Sequence, residues 1–261
     1  MTILQEIIHY KSGLVKKNRV ITPFKELEKS THFYRRTISL ADNILDPSKS
    51  SIIAEFKRRS PSKGAINDCA SVIKITSGYS FYGASGLSVL TDDKYFGGSA
   101  ADLINAREVN NIPILRKDFI IDEYQVIESK SIGADAILLI AAALDMKETM
   151  KLAELAHSLG LQVLLEVHEE DELRYINQHV DIVGVNNRDL KTFLVNKELS
   201  VSLAGKIPEG LVRISESGIS SVDVIRELKE YKYDGFLVGE AFMKNNDPVD
   251  AFRDFVEHIK K

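Results

Sequence analysis

The sequence predicts an α/β protein, a (β/α)8 TIM barrel with an N-terminal helical extension. Eight short, nearly uninterrupted apolar segments recur between residues 51 and 239, and helix-patterned segments separate them. Runs of Ile, Val and Leu suit strands buried on both faces. Their alternation with helices implies βαβ units and a parallel sheet. Residues 51–261 provide about 26 residues per unit, the economy of a closed eightfold barrel. A doubly wound open sheet is the competing architecture. It calls for a glycine-rich dinucleotide loop after its first strand. Here that strand runs out through Glu-Phe-Lys-Arg-Arg-Ser-Pro-Ser instead.

Residues 1–50 stand outside the repeat. Ile3 to Val15 read as an amphipathic helix, with Ile3, Leu4, Ile7, Ile8 and Leu14 on its apolar face. Phe24 to Leu27 follow Thr22-Pro23 as a short helix. No Gly/Ser linker precedes the first strand, so this segment is expected to extend the same domain. It would cover barrel surface or cap the site. The strands are expected at Ser51–Lys57, Gly86–Thr91, Pro113–Phe119, Ala134–Ile140, Leu161–Val167, Ile182–Asn187, Leu211–Ser217 and Gly235–Gly239. Between them, Asp122 to Gly133, Met146 to Leu159, Glu169 to Gln178 and Pro248 to Ile259 read as helices. In the second of these, Met146, Met150, Ala153, Leu155 and Ala156 carry the apolar pattern and Gly160 the C-cap. Ser220-Ser221 offer an N-cap to a helix with Val222, Val224, Ile225 and Leu228.

Composition narrows the class further. With 44% hydrophobic and 28% charged residues, the chain is of ordinary globular make-up and not disordered. The formal charge of −4 argues against nucleic acid as the main partner. No window approaches a membrane span, and Glu6 interrupts the N-terminal apolar run, unlike a secretory leader. The single Cys69 cannot form an internal disulfide, which fits a reducing compartment. It is expected near a helix start, as packing and not as a nucleophile. These points lead to the expectation of a cytoplasmic protein. The six histidines show no metal-ligand spacing, so no metal is expected.

In this fold chemistry belongs at the C-terminal strand ends. Those ends carry Glu55 and Lys57, Lys117 and Asp118, Glu166, Asn186 and Asn187, Glu216 and Ser217, and Gly239 and Glu240. Any one of them reads as a charge leaving the sheet into water. Together they are unlike unpaired burial, which is costly. Glu55 and Lys57 share a strand face and can pair. Lys117 and Glu166 can serve as acid and base, each tuned by neighbouring charge and desolvation. A Schiff-base lysine is another role open to Lys57 or Lys117. Ser217-Gly218 and Gly239 fit a phosphate held by backbone N–H groups after the last two strands, or simply tight turns. Lys57 and Ser60 would add a cation and a hydroxyl, although Lys57-Arg58-Arg59 also reads as a solvated loop. The residues alone reach a barrel enzyme acting on a phosphorylated small molecule by acid–base chemistry without metal.

Several segments carry a resemblance over nearly the whole chain. They are Ala54–Ser62, Leu90–Ser99, Leu115–Phe119, Leu165–Val167, Gly184–Leu190, Ser215–Ile219 and Leu237–Gly239. In these the chain resembles the indole-3-glycerol-phosphate synthase family of tryptophan biosynthesis. The resemblance implies ring closure, decarboxylation and dehydration of 1-(2-carboxyphenylamino)-1-deoxyribulose 5-phosphate, without a cofactor. It implies Lys117 as general acid and Glu166 as acid/base for dehydration. Lys57 would meet the substrate carboxylate, oriented by Glu55, while Asn186 and Glu216 position the substrate. Ser60, Ser217, Gly218 and Gly239 would take the phosphate, and Phe96 and Phe119 would wall the anthranilate ring. Glu240 departs from the family pattern, in which many relatives have Ser beside the phosphate. Its side chain is expected to turn away from the dianion. The rival readings are a related phosphate-binding barrel such as phosphoribosylanthranilate isomerase, a Schiff-base aldolase, and a barrel retained as a phosphate-ligand sensor. The expected partner is a small phosphorylated substrate, with no nucleic acid and no membrane. A monomer is compatible with all of this, and the sequence does not determine the oligomeric state.

Overall fold

Each of the eight apolar runs forms a strand. They are β1 Ile52–Phe56, β2 Gly86–Leu90, β3 Ile114–Lys117, β4 Ala136–Ile140, β5 Gln162–Val167, β6 Ile182–Asn186, β7 Val212–Glu216 and β8 Gly235–Val238. In the computed structural model, which describes residues 2–259, they pair in parallel and in chain order. β8 returns to β1 through Ile52↔Phe236 and Ile53↔Leu237 and closes the barrel. Met1, Lys260 and Lys261, counted above with the extension and the barrel, lie outside the described residues.

The period-2 alternation of the strands sorts their side chains into two cores. Ile52, Ala54 and Phe56 face the surrounding helices. Ile53, Leu115, Leu138, Leu164, Ile214 and Leu237 fill the interior. Two residues further along the same inward-facing rows come Glu55, Lys117, Ile140, Glu166, Glu216 and Gly239. The strand pattern that builds the apolar layer therefore also delivers the polar layer at the C-terminal mouth.

The extension touches both ends of the barrel. α1 (Ile3–Ile21) starts with a capping box from Thr2 and Gln5 and runs six residues beyond the expected Val15. Ile3, Leu4 and Ile7 line the cavity at the mouth. α2 spans Phe24–Leu27, as the Thr-Pro signal indicates. α3 (Leu40–Leu45) plugs the opposite end, where Leu40 and Ile44 join the interior cluster.

The outer helices are α4 Val72–Phe81, α5 Ala100–Val109, α6 Glu123–Ser131, α7 Met146–Ser158, α8 Glu198–Leu203, α9 Val222–Glu230, α10 Glu240–Met243 and α11 Pro248–Ile259. Four expectations need correction. Met146 is exposed because it is the first residue of α7, beside the Asp145 cap; Thr149 and Leu152 take the buried face with Ala153 and Ala156. Ser221 occupies the N-cap position of α9 but makes no side-chain capping bond. Glu169 to Gln178 do not form an α-helix: a 3-10 segment spans Glu170–Tyr175, and Glu172 turns back to accept the His168 N–H at 2.6 Å. Cys69 is exposed, on the loop before α4, and packs in no core.

The first loop also folds more than expected. Arg59–Ser60 and Gly64–Ala65 pair as a small antiparallel hairpin. Arg58 is not simply solvated: its guanidinium forms a two-pronged bond with Asp102 at 2.7 and 2.8 Å.

Candidate active site

At the mouth the inward rows converge on a cavity of about 510 Å³, within the range of small-molecule sites. Its lining includes Glu55, Lys57, Ser60, Phe96, Lys117, Phe119, Glu166, Asn186, Glu216, Ser217, Gly218 and Gly239. The structure thus brings every expected site residue into one cavity. Asn187 is the strand-end residue that turns out. Its amide joins Ser200 and Ser215 in a buried network behind β6 and β7.

Lys117 is the electrostatic centre. Its Nζ lies 2.6 Å from Glu166 Oε2 and 2.8 Å from Glu216 Oε2. Burial alone would lower its pKa, but Glu166, Glu216 and Glu55 outweigh that and raise it. Glu55 pairs separately with Lys57 at 2.6 Å. Both Glu55 and Glu216 are buried beside glycines. A Cβ on Gly239 would stand 2.5 Å from Glu55 Oε1, and one on Gly184 would stand 2.2 Å from Glu216 Oε1. The missing side chains make room for the carboxylates.

The two carboxylates on Lys117 differ. Burial would raise Glu166, yet the Lys117 ammonium and His168 hold its pKa well below the usual range. Glu216 is pushed up to about 7 by burial and by the Glu166 charge, against the pull of Lys117. Near neutrality the trio holds a loaded ammonium, one ionised carboxylate and one carboxyl able to carry a proton. That is an assembly for proton transfer.

Phe96 and Phe119 form the apolar wall, with ring centroids 6.1 Å apart. On the far side, Ser217 and Gly218 take left-handed φ values of 63° and 75°. Among the described residues, the N–H groups of Gly218, Ile219, Gly239 and Glu240 have no acceptor. An arrangement of free N–H groups in a turn favours an anion. Glu240 does not turn away from this end. It is part of the cavity lining, and its carboxylate lies 3.4 Å from Arg188 and 4.0 Å from Lys63. Two cations hold the carboxylate at the rim. Glu240→Gln should release both for an incoming anion. We expect KM to fall about two- to fivefold with kcat unchanged, as for a rim charge. A KM that rises in steady-state assays would contradict this.

Sequence reasoning missed four contributors. Lys11 is buried and bonds Asp92 and Asp118 at 3.0 and 2.6 Å, locking α1 over the mouth. Its signal was its place on the buried stripe of Ile7 and Val15. His168 stands beside Glu166, and the two-residue spacing that paired Glu55 with Lys57 pointed to it equally. Arg188, inside the Gly184–Leu190 segment but given no role there, and Phe193 with its neighbours reach the cavity from the loop after β6, where periodicity carries no signal.

A closed (β/α)8 barrel with an ammonium shared by two buried carboxylates at its mouth has the layout of a barrel enzyme, with its charged groups at the C-terminal strand ends. A family model described as indole-3-glycerol phosphate synthase matches residues 4–255. The indole-3-glycerol phosphate synthase of Bacteroides thetaiotaomicron is 47% identical over 258 residues, covering 99% of each chain. That of Caldanaerobacter subterraneus is 38% identical over 259 residues, again covering 99% of each. The chain belongs to the indole-3-glycerol phosphate synthase family. Among solved structures, the tryptophan synthase alpha chain from Legionella pneumophila superposes with a TM-score of 0.60 at 16% identity. It spans 85% of this chain and 96% of that one. The 3-hexulose-6-phosphate synthase from Salmonella typhimurium gives 0.60 at 13%, spanning 80% and 98%. At these identities the likeness is one of fold. No helix among the described residues is long and apolar enough to cross a membrane.

Proposed function

We propose that this protein converts 1-(2-carboxyphenylamino)-1-deoxyribulose 5-phosphate to indole-3-glycerol phosphate, CO2 and water. The observation that carries this reading is the Lys117 ammonium held between Glu166 and Glu216, in a cavity with an aromatic wall and free backbone N–H groups. The anthranilate ring lies against Phe96 and Phe119. Lys57, steadied by Glu55, meets its carboxylate. The phosphate takes the N–H groups around Gly218 and Gly239, with the hydroxyls of Ser60 and Ser217.

The ring carbon bearing the carboxylate attacks the C2′ ketone, and Lys117 protonates the developing alkoxide. Loss of CO2 restores the aromatic ring. Dehydration then removes the hydroxyl from C2′ and a hydrogen from C1′. Glu166 is the carboxylate that moves this proton, and Asn186 and Glu216 position the substrate. The raised pKa of Lys117 keeps the acid loaded, and Glu216 supplies a second carboxyl whose proton exchanges near neutral pH.

Residues 1–50 serve the same domain, since α1 walls the cavity and α3 fills the barrel floor. The cavity is walled by residues of one chain, and action as a monomer is part of the proposal. The charge of −4 supports a small-molecule partner over nucleic acid, and the lone cysteine supports a cytoplasmic setting. The direct test mixes the purified protein with the substrate, without added metal, and follows indole fluorescence. A signal that grows with enzyme and disappears in Glu166→Gln is expected. Folded protein that binds inorganic phosphate yet gives no signal would refute the assignment.

A further inference from the structure

Glu166 and Glu216 reach the same ammonium at nearly the same distance, so Lys117 alone does not decide which of them keeps a proton. Their other oxygens do differ. Glu166 Oε1 lies 3.3 Å from Nε2 of His168. Glu216 Oε1 is buried without a polar partner among the described residues, in the space left by Gly184. A buried carboxylate oxygen without a donor is costly unless it carries a proton.

His168 follows Glu166 by two positions, and so stands on the same side of the chain. Its side chain is only 10% exposed and is set between two carboxylates, with Nδ1 3.7 Å from Glu172 Oε2. Glu172 is itself fixed by the His168 N–H. Neither ring nitrogen makes an aligned hydrogen bond, so these contacts act as ion pairs. Lys117 and Glu216 face Glu166 from β3 and β7, and Glu55 faces Lys117 from β1.

We propose that His168 is a positioning residue whose imidazolium keeps Glu166 ionised and thereby leaves the shared proton on Glu216. Burial would discharge the ring, but Glu166 and Glu172 together raise its pKa to about 9, so the charge persists through neutral pH. The partition stands on these contacts alone. Its consequence for turnover rests on Glu166 as the proton-transfer carboxylate.

Two spectroscopic measurements test the partition. In 15N-histidine NMR, His168 of the wild-type protein is expected to titrate near pH 9. In Glu166→Gln it should titrate about one unit lower or more. In 13C-glutamate NMR near pH 6, wild-type Glu166 should appear as carboxylate and Glu216 as carboxylic acid. In His168→Gln the proton should be spread over both, as expected for coupled sites. The ratio of kcat at pH 6 to kcat at pH 8 should then fall about twofold or more. Unchanged carboxyl signals in His168→Gln, or wild-type His168 titrating below pH 7, would overturn the proposal. Should His168→Gln not fold, the wild-type and Glu166→Gln titrations decide it. Carboxyl signals as expected in a protein that never turns over the substrate would instead leave the partition standing and refute the assigned reaction.

Discussion

Lys117→Ala should lower kcat by about 10²–10⁴, the contribution of a positioned general acid. Among the described residues the ammonium is the one group that bonds both Glu166 and Glu216, so its loss removes the proton donor and also one of the two cations that hold Glu166 ionised. Without it, two buried carboxylates face each other, and one of them takes up a further proton. Lys117→Arg separates the two effects. A guanidinium keeps the positive charge but stays protonated, so it maintains the carboxylates without serving as the acid. We therefore expect the Arg variant to fold like the wild type and to lose kcat nearly as severely. Steady-state fluorescence assays of all three proteins check this. An intact kcat with a raised KM would make Lys117 a binding group and would remove it from the chemistry.

The largest effect on stability is expected at Lys11. Its ammonium is almost completely buried between Asp92 and Asp118, which are buried as well. Removing one partner of a buried ion pair leaves the others uncompensated, and Lys11→Ala should cost about 3–5 kcal/mol in denaturant unfolding. Burial would raise Asp118, but Lys11 and Arg116 bring its pKa down to about 2. A depressed carboxylate contributes stability above its unfolded pKa near ~3.9, and that contribution is lost as pH falls toward about 2. Lys11 behaves in the opposite sense. Burial lowers its pKa, Asp118 and Asp92 raise it more, and its contribution is lost only at strongly alkaline pH. The deficit of Lys11→Ala should therefore be greatest near neutrality and shrink as pH falls toward about 2, where Asp118 protonates and the wild type loses the same contribution. Restoring neutrality with Asp92→Asn and Asp118→Asn in the same chain should recover part of it. A Lys11→Ala protein as stable as wild type at pH 7 would show that α1 is held by its apolar contacts alone.

Ion pairing at Lys11 also bears on the site. Asp92 receives the Tyr95 N–H and so shapes the loop that carries Phe96, and Asp118 directly precedes Phe119. Freeing α1 loosens both the Ile3, Leu4 and Ile7 wall and the aromatic wall. KM should rise along with the loss of stability.

The strands were legible because a strand buried on both faces must be apolar along its whole length. A break in that pattern at the C-terminal end is itself a signal. Glu55, Lys117, Glu166 and Glu216 were found that way, and the cavity contains all four. The helices were less legible. Met146 was read as core from its type, although its place at the start of α7 leaves it exposed. Glu169 to Gln178 were read as helical, but the Glu172 carboxylate ties back to the strand end and limits the segment to a 3-10 turn. Glu240 was expected to avoid the anion end. Arg188 and Lys63, 52 and 177 positions away in the chain, hold it there.

By itself the sequence determined the barrel, its strand order and which side chains point into it. These follow from periodicity, and periodicity is a property of neighbouring residues. Only the tertiary structure decided the charge states. One ammonium serves two carboxylates from β5 and β7, and His168 adds a second cation to just one of them. The lysine of α1 neutralises two aspartates from other loops. Coulomb energy depends on distance and burial, and the distances that matter here join residues far apart in the chain.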